Sequence, residues 1–199
     1  GAAIQWLRDG LGLLEDAAES EEMARSLSGN AGVHLVPAFT GLGAPWWQPD
    51  ARGAITGLTR GTTREHLVRA ALEAMAYGTR DVLGAMERDA GVGAAALNVD
   101  GGAARNDWLL EFMAGILGVQ VRRPAMVETT ALGAAGLAGL SAGLWRSPDD
   151  FSAAFAEGNT FSPEIGAAER DELIAGWRRA VDGALAASGL SPRAGHALD

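Results

Sequence analysis

The stretch that decides the fold lies at residues 96–106 and reads ALNVDGGAARN. Residues 96–100 have the apolar character of a short strand, Gly101 and Gly102 form a tight turn, and a helical pattern runs from about 105 to 117. Glycine lets the backbone turn sharply and lets a flat ligand approach closely. The order strand, glycine turn, helix favours a nucleotide site. It fits a ligand-free strand-to-helix connection as well.

Further strands and helices surround this unit and alternate along the chain. Strands are predicted at residues 33–36, 53–58 and 119–121, and helices at 1–16, 20–28, 63–89 and 131–137, with a last helix after Pro163. Thr129 or Thr130 is predicted to cap the helix at 131–137. This alternation predicts an α/β fold in which helices and a sheet form layers.

The longest predicted helix spans residues 63–89. Thr62 and Glu65 give the Thr-x-x-Glu pattern of a capping box at its start. Its apolar face carries Leu67, Ala71, Met75, Val82 and Met86. The first and last helices have similar stripes, formed by Ile4, Leu7, Leu11 and Leu14 and by Leu173, Trp177, Val181 and Leu185. These stripes predict which helix faces cover the core.

Composition excludes several classes of function. The formal net charge is −9 and the sequence pI is about 4.8, which disfavours binding to nucleic acid and to anionic lipid. A nucleotide remains possible, because helix N-termini and backbone amides can hold phosphates without net positive charge. The sequence has no run of about 20 apolar residues, so no membrane insertion is predicted.

Side chains that could carry metal or acid–base chemistry are scattered. The chain has no cysteine. Its three histidines, His34, His66 and His196, lack metal-ligand spacing and are predicted to be surface or structural residues. The candidate carboxylates are Asp50, Glu73, Asp100 and Asp107. Their spacing marks no acid–base pair, and most are predicted to be solvated charges or helix caps.

Two other segments permit more than one interpretation. Small residues fill 129–137, as in a hinge or sliding contact between domains, and equally as in a tightly packed core helix. The loop at residues 45–50, PWWQPD, places two tryptophans beside prolines. It could line a sugar site, form a subunit contact or fold rigidly over the core.

A family resemblance goes further than these patterns. Residues 37–47 read PAFTGLGAPWW and continue as PDARGAI at 49–55, while residues 57–73 read GLTRGTTREHLVRAALE. Shorter matches are IQWLRD at 4–9, VDGGA at 99–103 and TALGAA at 130–135. Together these stretches resemble the FGGY carbohydrate kinase family over about residues 1–180. Within that family, residues 39–52 resemble the glycerol kinases more than the xylulose or gluconate kinases.

The resemblance implies an actin-like, ribonuclease-H-like ATPase domain, with a mixed sheet between helical layers. In this family two such domains close around a cleft, ATP enters mainly from the C-terminal domain, and glycerol binds mainly to the N-terminal one. The reaction implied is transfer of the γ-phosphoryl group of ATP to glycerol with Mg²⁺. Residues 1–187 are then expected to be a partial C-terminal kinase domain, incomplete on its N-terminal side, followed by a disordered tail at 188–199.

The same resemblance assigns the site residues. Gly102 and Asn106 match the adenosine motif, Gly1 and Gln5 match a second nucleotide-contacting pair, and 130–135 matches the segment that connects the domains. No catalytic residue or metal ligand is assigned to this chain. Because the aspartate base and the phosphate loop are expected upstream of Gly1, the chain alone is expected to be inactive.

Two alternatives stay open at this point. The parent protein could be an FGGY kinase for another sugar or polyol, or the chain could be a non-catalytic module that binds a nucleotide or a protein. The parent enzyme is expected to be cytoplasmic and to form a homodimer or homotetramer.

Overall fold

A computed structural model describes residues 1–153 and 158–191. The helices are α1 (Ala2–Asp9), α2 (Glu19–Arg25), α3 (Arg64–Ala90), α4 (Asp107–Leu117), α5 (Thr129–Ser141), α6 (Pro148–Ala153) and α7 (Ala167–Ala187). The strands are β1 (His34–Val36), β2 (Ala54–Thr56), β3 (Ala96–Asn98), β4 (Gln120–Arg123) and β5 (Asn159–Phe161). A 3₁₀ turn at Gly102–Arg105 joins β3 to α4.

Helix α3 is the central element, and it contacts α1, α2, α4, α7 and β1. Its buried side includes Val68, Leu72 and Tyr77. Trp177 of α7 stacks on Tyr77 with ring centroids 5.3 Å apart, and Phe112 of α4 meets the same ring edge-on. The predicted apolar stripe therefore covers the core at its start, whereas Val82 and Met86 are exposed near its end.

The strands form two small sheets among the described residues. β1 and β2 pair antiparallel, with Leu35 opposite Ile55. β3 and β4 pair parallel, with Leu97 opposite Val121, and β5 joins β4 antiparallel. The second sheet is thus mixed, and α4 packs on β4 and β5. The 3₁₀ turn and α4 leave the carboxyl end of β3, which positions the glycine turn at the sheet edge.

Two predicted helix starts and ends were wrong. Helix α1 ends at Asp9, and the chain turns away at Gly12, whose φ of 63° is left-handed. The amides of Gly12 and Leu13 donate back to the carbonyl oxygens of Arg8 and Leu7, which closes this end of the helix. Leu14 still reaches the core from the following loop, but Leu11 is exposed. At α3 the capping box lies one residue later than predicted, because Thr63 is the N-cap and its amide donates to Nδ1 of His66 at 3.2 Å.

Other differences fall in the C-terminal part. Helix α5 begins at Thr129, after Glu128, and runs to Ser141, so Thr129 and Thr130 lie inside the helix rather than capping it. Neither α6 nor β5 was predicted, because each has few residues and no clear periodicity. The predicted tail at 188–199 lies outside the described residues from 192 onward, and so does His196.

Buried polar side chains mark a further correction. Glu73, predicted among mostly solvated carboxylates, is 2% exposed and pairs with Arg69 at 2.8 Å. Asn30 donates to its other oxygen at 2.7 Å. Burial raises the pKa of Glu73, while the hydrogen bonds from Arg69 and Asn30 act in the opposite direction. In the loop at 45–50, Trp46 is buried and Trp47 is exposed, so this loop folds partly over the core.

Candidate functional site

A cleft of about 570 Å³ opens where α1, α2, α3 and the glycine turn meet. Its apolar lining comes from three helices, with Ile4 of α1, Leu72 and Met75 of α3, and Leu109 of α4. Polar side chains and exposed backbone complete the lining along α1, the start of α2 and the glycine turn. An apolar surface with a few polar groups beside it is typical of sites for small organic ligands.

The cleft brings together all four residues that the resemblance assigns to ATP. Gly1 and Gln5 enter from α1, and Gly102 and Asn106 enter from the glycine turn. These pairs are separated by about a hundred positions in the sequence, and the folding of α1 against α3 and of α4 against α3 brings them to one place. Their contact with a nucleotide stays a prediction.

The glycine turn is held in a conformation that suits close approach. Gly101 has φ of 79° and ψ of −177°, a region that is essentially restricted to glycine. Its amide donates to the carbonyl oxygen of Val127 at 3.0 Å. Gly102 has no positive φ, and a Cβ added there would meet no atom within 4 Å. The backbone at Gly102 is therefore open to the cleft.

Arg123 of β4 holds this turn from the sheet side. Its Nη1 donates to the carbonyl oxygen of Ala104 at 2.9 Å and to Oδ1 of Asp107 at 2.6 Å. The Arg123 side chain is only 14% exposed. With these two hydrogen bonds, the partly buried guanidinium fixes the turn to the sheet and keeps the start of α4 in place.

Asn106 is the N-cap of α4. Its Oδ1 accepts from the backbone N–H of Leu109 at 2.8 Å, which satisfies one of the free amides of the first helical turn. Its Nδ2 donates to Oγ of Ser20 at 3.2 Å. The side-chain amide of Asn106, which was predicted to contact a nucleotide, therefore also caps α4. One of its two N–H groups already donates to Ser20.

Residues 16–21, which comprise the turn before α2 and its first residues, form the opposite wall of the cleft. Asp16, Ala17, Ala18, Ser20 and Glu21 all belong to the lining. Oε2 of Glu21 accepts from the backbone N–H of Asp107 at 3.1 Å. Sequence reasoning missed this wall entirely. Ser20 lies at the start of a short acidic helix. A serine in that position can be buried or exposed, so the sequence did not indicate that Ser20 faces the cleft.

A salt bridge at the far end of α2 also ties it to α4. Arg25 makes a bidentate pair with Glu111, with N–O distances of 2.9 and 3.0 Å. It also pairs with Glu21 in its own helix, and these partners, Glu111 first, raise the pKa of Arg25. The side chains of Arg25 and Glu111 are 43% and 50% exposed, so water screens this pair.

The charged groups near the cleft mouth are mostly paired with neighbours. Arg8 hydrogen-bonds Asp9 at 2.7 Å and lowers the pKa of that carboxyl. Arg105 lies 3.5 Å from Glu128 with its side chain 67% exposed. Within residues 1–153 and 158–191, no group of three histidine, aspartate or glutamate side chains converges in a way that could hold a metal ion.

Comparison with known proteins identifies the family. Residues 1–142 match the model of the FGGY family of carbohydrate kinases, C-terminal domain. The chain belongs to the FGGY family of carbohydrate kinases. This confirms the predicted family, and the match covers α1 to α5 and the whole lining of the cleft.

Several glycerol kinases are among the curated relatives. Glycerol kinase 1 of Lactiplantibacillus plantarum is 55% identical over 181 residues, which is 91% of this chain and 36% of the relative. Glycerol kinase of Enterococcus casseliflavus is 54% identical over the same shares of the two chains. The chain therefore spans little more than a third of the length of the curated relatives it matches.

Solved structures confirm the predicted α/β, actin-like fold. Plasmodium falciparum glycerol kinase, solved with ADP, superposes with a TM-score of 0.83 at 33% identity, over 93% of this chain and 37% of that one. Xylulose kinase from Lactobacillus acidophilus superposes with a TM-score of 0.74 at 23% identity, over 94% of this chain and 38% of that one. Across the described residues, no helix is both long and apolar enough to span a membrane.

Proposed function

We propose that this chain carries the nucleotide-binding part of a glycerol kinase, which transfers the γ-phosphoryl group of ATP to glycerol and forms glycerol 3-phosphate. The observation that carries the proposal is the convergence of Gly1, Gln5, Gly102 and Asn106 on one cleft. The substrate is inferred from the glycerol kinases that are 54–56% identical to this chain. The xylulose and gluconate kinase structures are 21–30% identical to it.

The cleft has the parts that a nucleoside needs. Leu72, Met75 and Leu109 offer an apolar surface for a purine ring. Beside them the backbone at Gly102 lies open, so a ring or a ribose can approach without meeting a side chain. Gln5 and Asn106 supply polar groups that can both donate and accept hydrogen bonds.

The division of labour follows from what phosphoryl transfer requires. The reaction depends mainly on positioning the γ-phosphoryl group and on stabilising charge, with Mg²⁺ bound through the phosphates. This chain holds the nucleoside end of ATP, while the general base and the glycerol site belong to the remaining part of the enzyme. The parent enzyme is a cytoplasmic homodimer or homotetramer in this proposal.

Calorimetric titration of the 199-residue chain with Mg-ATP tests the proposal. The sharpest variant is Gly102→Ala, because a Cβ there meets no protein atom and the residue has no positive φ. Folding should be unchanged, and the methyl group should obstruct the nucleotide and weaken binding at least about 10-fold, which corresponds to about 1.4 kcal/mol. Gly166→Ala is the matched control, since that site is equally open and lies outside the cleft.

The outcomes separate the alternatives. Saturable Mg-ATP binding that Gly102→Ala weakens and Gly166→Ala leaves unchanged supports the proposed site. If neither substitution changes the affinity for Mg-ATP, the nucleotide binds elsewhere on the chain. If a chain with native circular dichroism does not bind Mg-ATP, a nucleotide site on this chain is refuted. An FGGY kinase for another sugar or polyol is tested by a substrate panel on the full-length enzyme.

A further inference from the structure

We infer that Ser20 is a positioning residue for the nucleotide site, because it fixes the orientation of the Asn106 side-chain amide. The inference rests on the proposed function of the cleft. Both residues belong to its lining, Ser20 from α2 and Asn106 from the turn before α4. They lie 86 positions apart in the sequence, and neither the family motif nor the sequence pattern points to Ser20.

The hydrogen bonds of Ser20 have defined directions. Its side chain is 2% exposed, and its hydroxyl donates to the carbonyl oxygen of Ala17 at 2.6 Å. Because a hydroxyl has one hydrogen, Oγ can only accept from the Nδ2 group of Asn106, 3.2 Å away. A carbonyl oxygen at the Nδ2 position would face the lone pairs of Ser20, unless the hydroxyl gave up its hydrogen bond to Ala17 to donate there instead.

The other end of the same amide is also fixed. Oδ1 of Asn106 accepts from the backbone N–H of Leu109 at 2.8 Å. A 180° flip of the amide would therefore break both hydrogen bonds at once. With the flip excluded, one N–H of Nδ2 remains for a ligand, and Asn106 offers the nucleotide a donor that suits a ring nitrogen or a ribose oxygen.

Ser20 also joins two parts of the lining. Through Ala17 it bonds to the backbone of the wall, and through Asn106 it bonds to the glycine turn. Without the hydroxyl, the partly buried Nδ2 group loses its protein partner, and the side chain can leave the cap to form other hydrogen bonds. We expect the affinity for Mg-ATP to fall because fewer Asn106 side chains then point their free N–H correctly.

The test compares Ser20→Ala with Ser26→Ala in calorimetric titrations with Mg-ATP. Ser26 is the matched control, because its hydroxyl also donates to a carbonyl oxygen three residues earlier, that of Met23, at 2.7 Å. It contributes nothing to the cleft lining. The loss of one positioned hydrogen bond predicts a roughly 3- to 10-fold weaker binding for Ser20→Ala and less than about 2-fold for Ser26→Ala.

A double-variant cycle separates positioning from a merely structural role. Asn106→Ser keeps a good N-cap for α4 but has no amide for Ser20 to orient. In that background Ser20→Ala should change the affinity by less than about 2-fold, because its effect passes through the amide. Ser20→Cys fills nearly the same volume with a weak acceptor, and it should give an affinity between those of the parent and Ser20→Ala.

The possible results are distinct. If the parent chain binds Mg-ATP and Ser20→Ala matches Ser26→Ala, the inference is overturned while the proposed function stands. An equal loss with and without the Asn106 amide would also overturn it, since Ser20 would then act through the wall alone. Failure of a parent chain with native circular dichroism to bind Mg-ATP would overturn the proposed nucleotide site and this inference together.

Discussion

Oδ2 of Asp81 accepts a hydrogen bond from the indole N–H of Trp177 at 2.8 Å, which joins the middle of α3 to α7 inside the core. The same oxygen accepts from the indole N–H of Trp46 at 3.2 Å. Asp81 is 4% exposed, and Trp46 and Trp177 are 9% and 3% exposed. One carboxylate oxygen thus satisfies two buried donors and attaches the tryptophan loop to two helices.

Asp81→Ala is expected to destabilise the chain strongly. It leaves two buried indole N–H groups without an acceptor. Each unsatisfied donor costs about 1–3 kcal/mol, so the free energy of unfolding should fall by about 2–6 kcal/mol. Asp81→Asn retains a carbonyl oxygen for both indoles and should be clearly milder. Urea denaturation followed by tryptophan fluorescence measures both variants. Equal losses would show that the negative charge, rather than the acceptor, matters.

The stability contributed at Asp81 should depend on pH. Burial raises the pKa of Asp81 above its usual value, although the indole hydrogen bonds act against this shift. The folded state then holds the proton more tightly than the unfolded state does. The free energy of unfolding should therefore decrease as pH rises from the usual aspartate pKa, about 3.9, through the raised folded value.

The check for this dependence is the difference between the parent and Asp81→Asn, measured by urea denaturation across pH 3.5–8. Relative to the asparagine variant, the parent should lose stability as pH rises through that window and then level off. A difference that grows in favour of the parent as pH rises would mean that the folded pKa is lowered instead.

Arg69 is expected to be indispensable for the buried Glu73. Arg69→Met leaves that carboxylate with Asn30 as its remaining partner, and removing one member of a buried ion pair costs about 3–5 kcal/mol. It also removes the donor to the carbonyl oxygen of Leu27, at 2.6 Å. Adding Glu73→Gln to Arg69→Met should recover part of the loss, because the unpaired charge disappears. Urea denaturation of the two variants measures this recovery.

Arg25→Met provides the contrast. Arg25 has a bidentate partner in Glu111, but both side chains are well exposed, so its replacement should change the free energy of unfolding by no more than about 1 kcal/mol. The same denaturation curves measure it. A loss as large as that of Arg69→Met would contradict the view that burial determines the strength of these pairs.

Gly101 should tolerate neither alanine nor asparagine. Its φ of 79° with ψ of −177° is essentially a glycine conformation, and any side chain there should cost about 1–3 kcal/mol. Gly91, the C-cap of α3, has φ of 68° and ψ of 15°, the left-handed conformation that asparagine also adopts. Thermal unfolding should therefore show a large loss for Gly101→Asn and a small one for Gly91→Asn. Similar losses at both sites would contradict the distinction.

Long periodic segments could be predicted from the sequence. The stripe of Trp177, Val181 and Leu185 in α7 is buried as expected, and the strand, glycine turn and helix follow one another in the predicted order. The helix ends could not be placed equally well. In α1 the stripe continued to Leu14 although the helix had ended at Asp9, because an apolar residue can reach the core from a loop as well as from a helix.

The sequence predicted one part of the site and missed another. The family motif supplied Gly1, Gln5, Gly102 and Asn106, whose spacing alone would not have grouped them. The wall at the start of α2 carries no motif, and its contribution depends on tertiary packing. Sequence likewise could not show that the Asn106 amide caps α4, since capping and ligand binding call for the same residue type.

The three links between α2 and α4, Ser20 to Asn106, Glu21 to Asp107 and Arg25 to Glu111, each join positions 86 apart. A constant offset means that the two helices point the same way and advance in step. Loops between residues 26 and 105 could therefore gain or lose residues without disturbing this match. One residue inserted between Glu21 and Arg25 would instead rotate the rest of α2 by about 100° and separate Arg25 from Glu111. Within residues 20–25 and 106–111, a change of length should therefore be tolerated less well than a substitution.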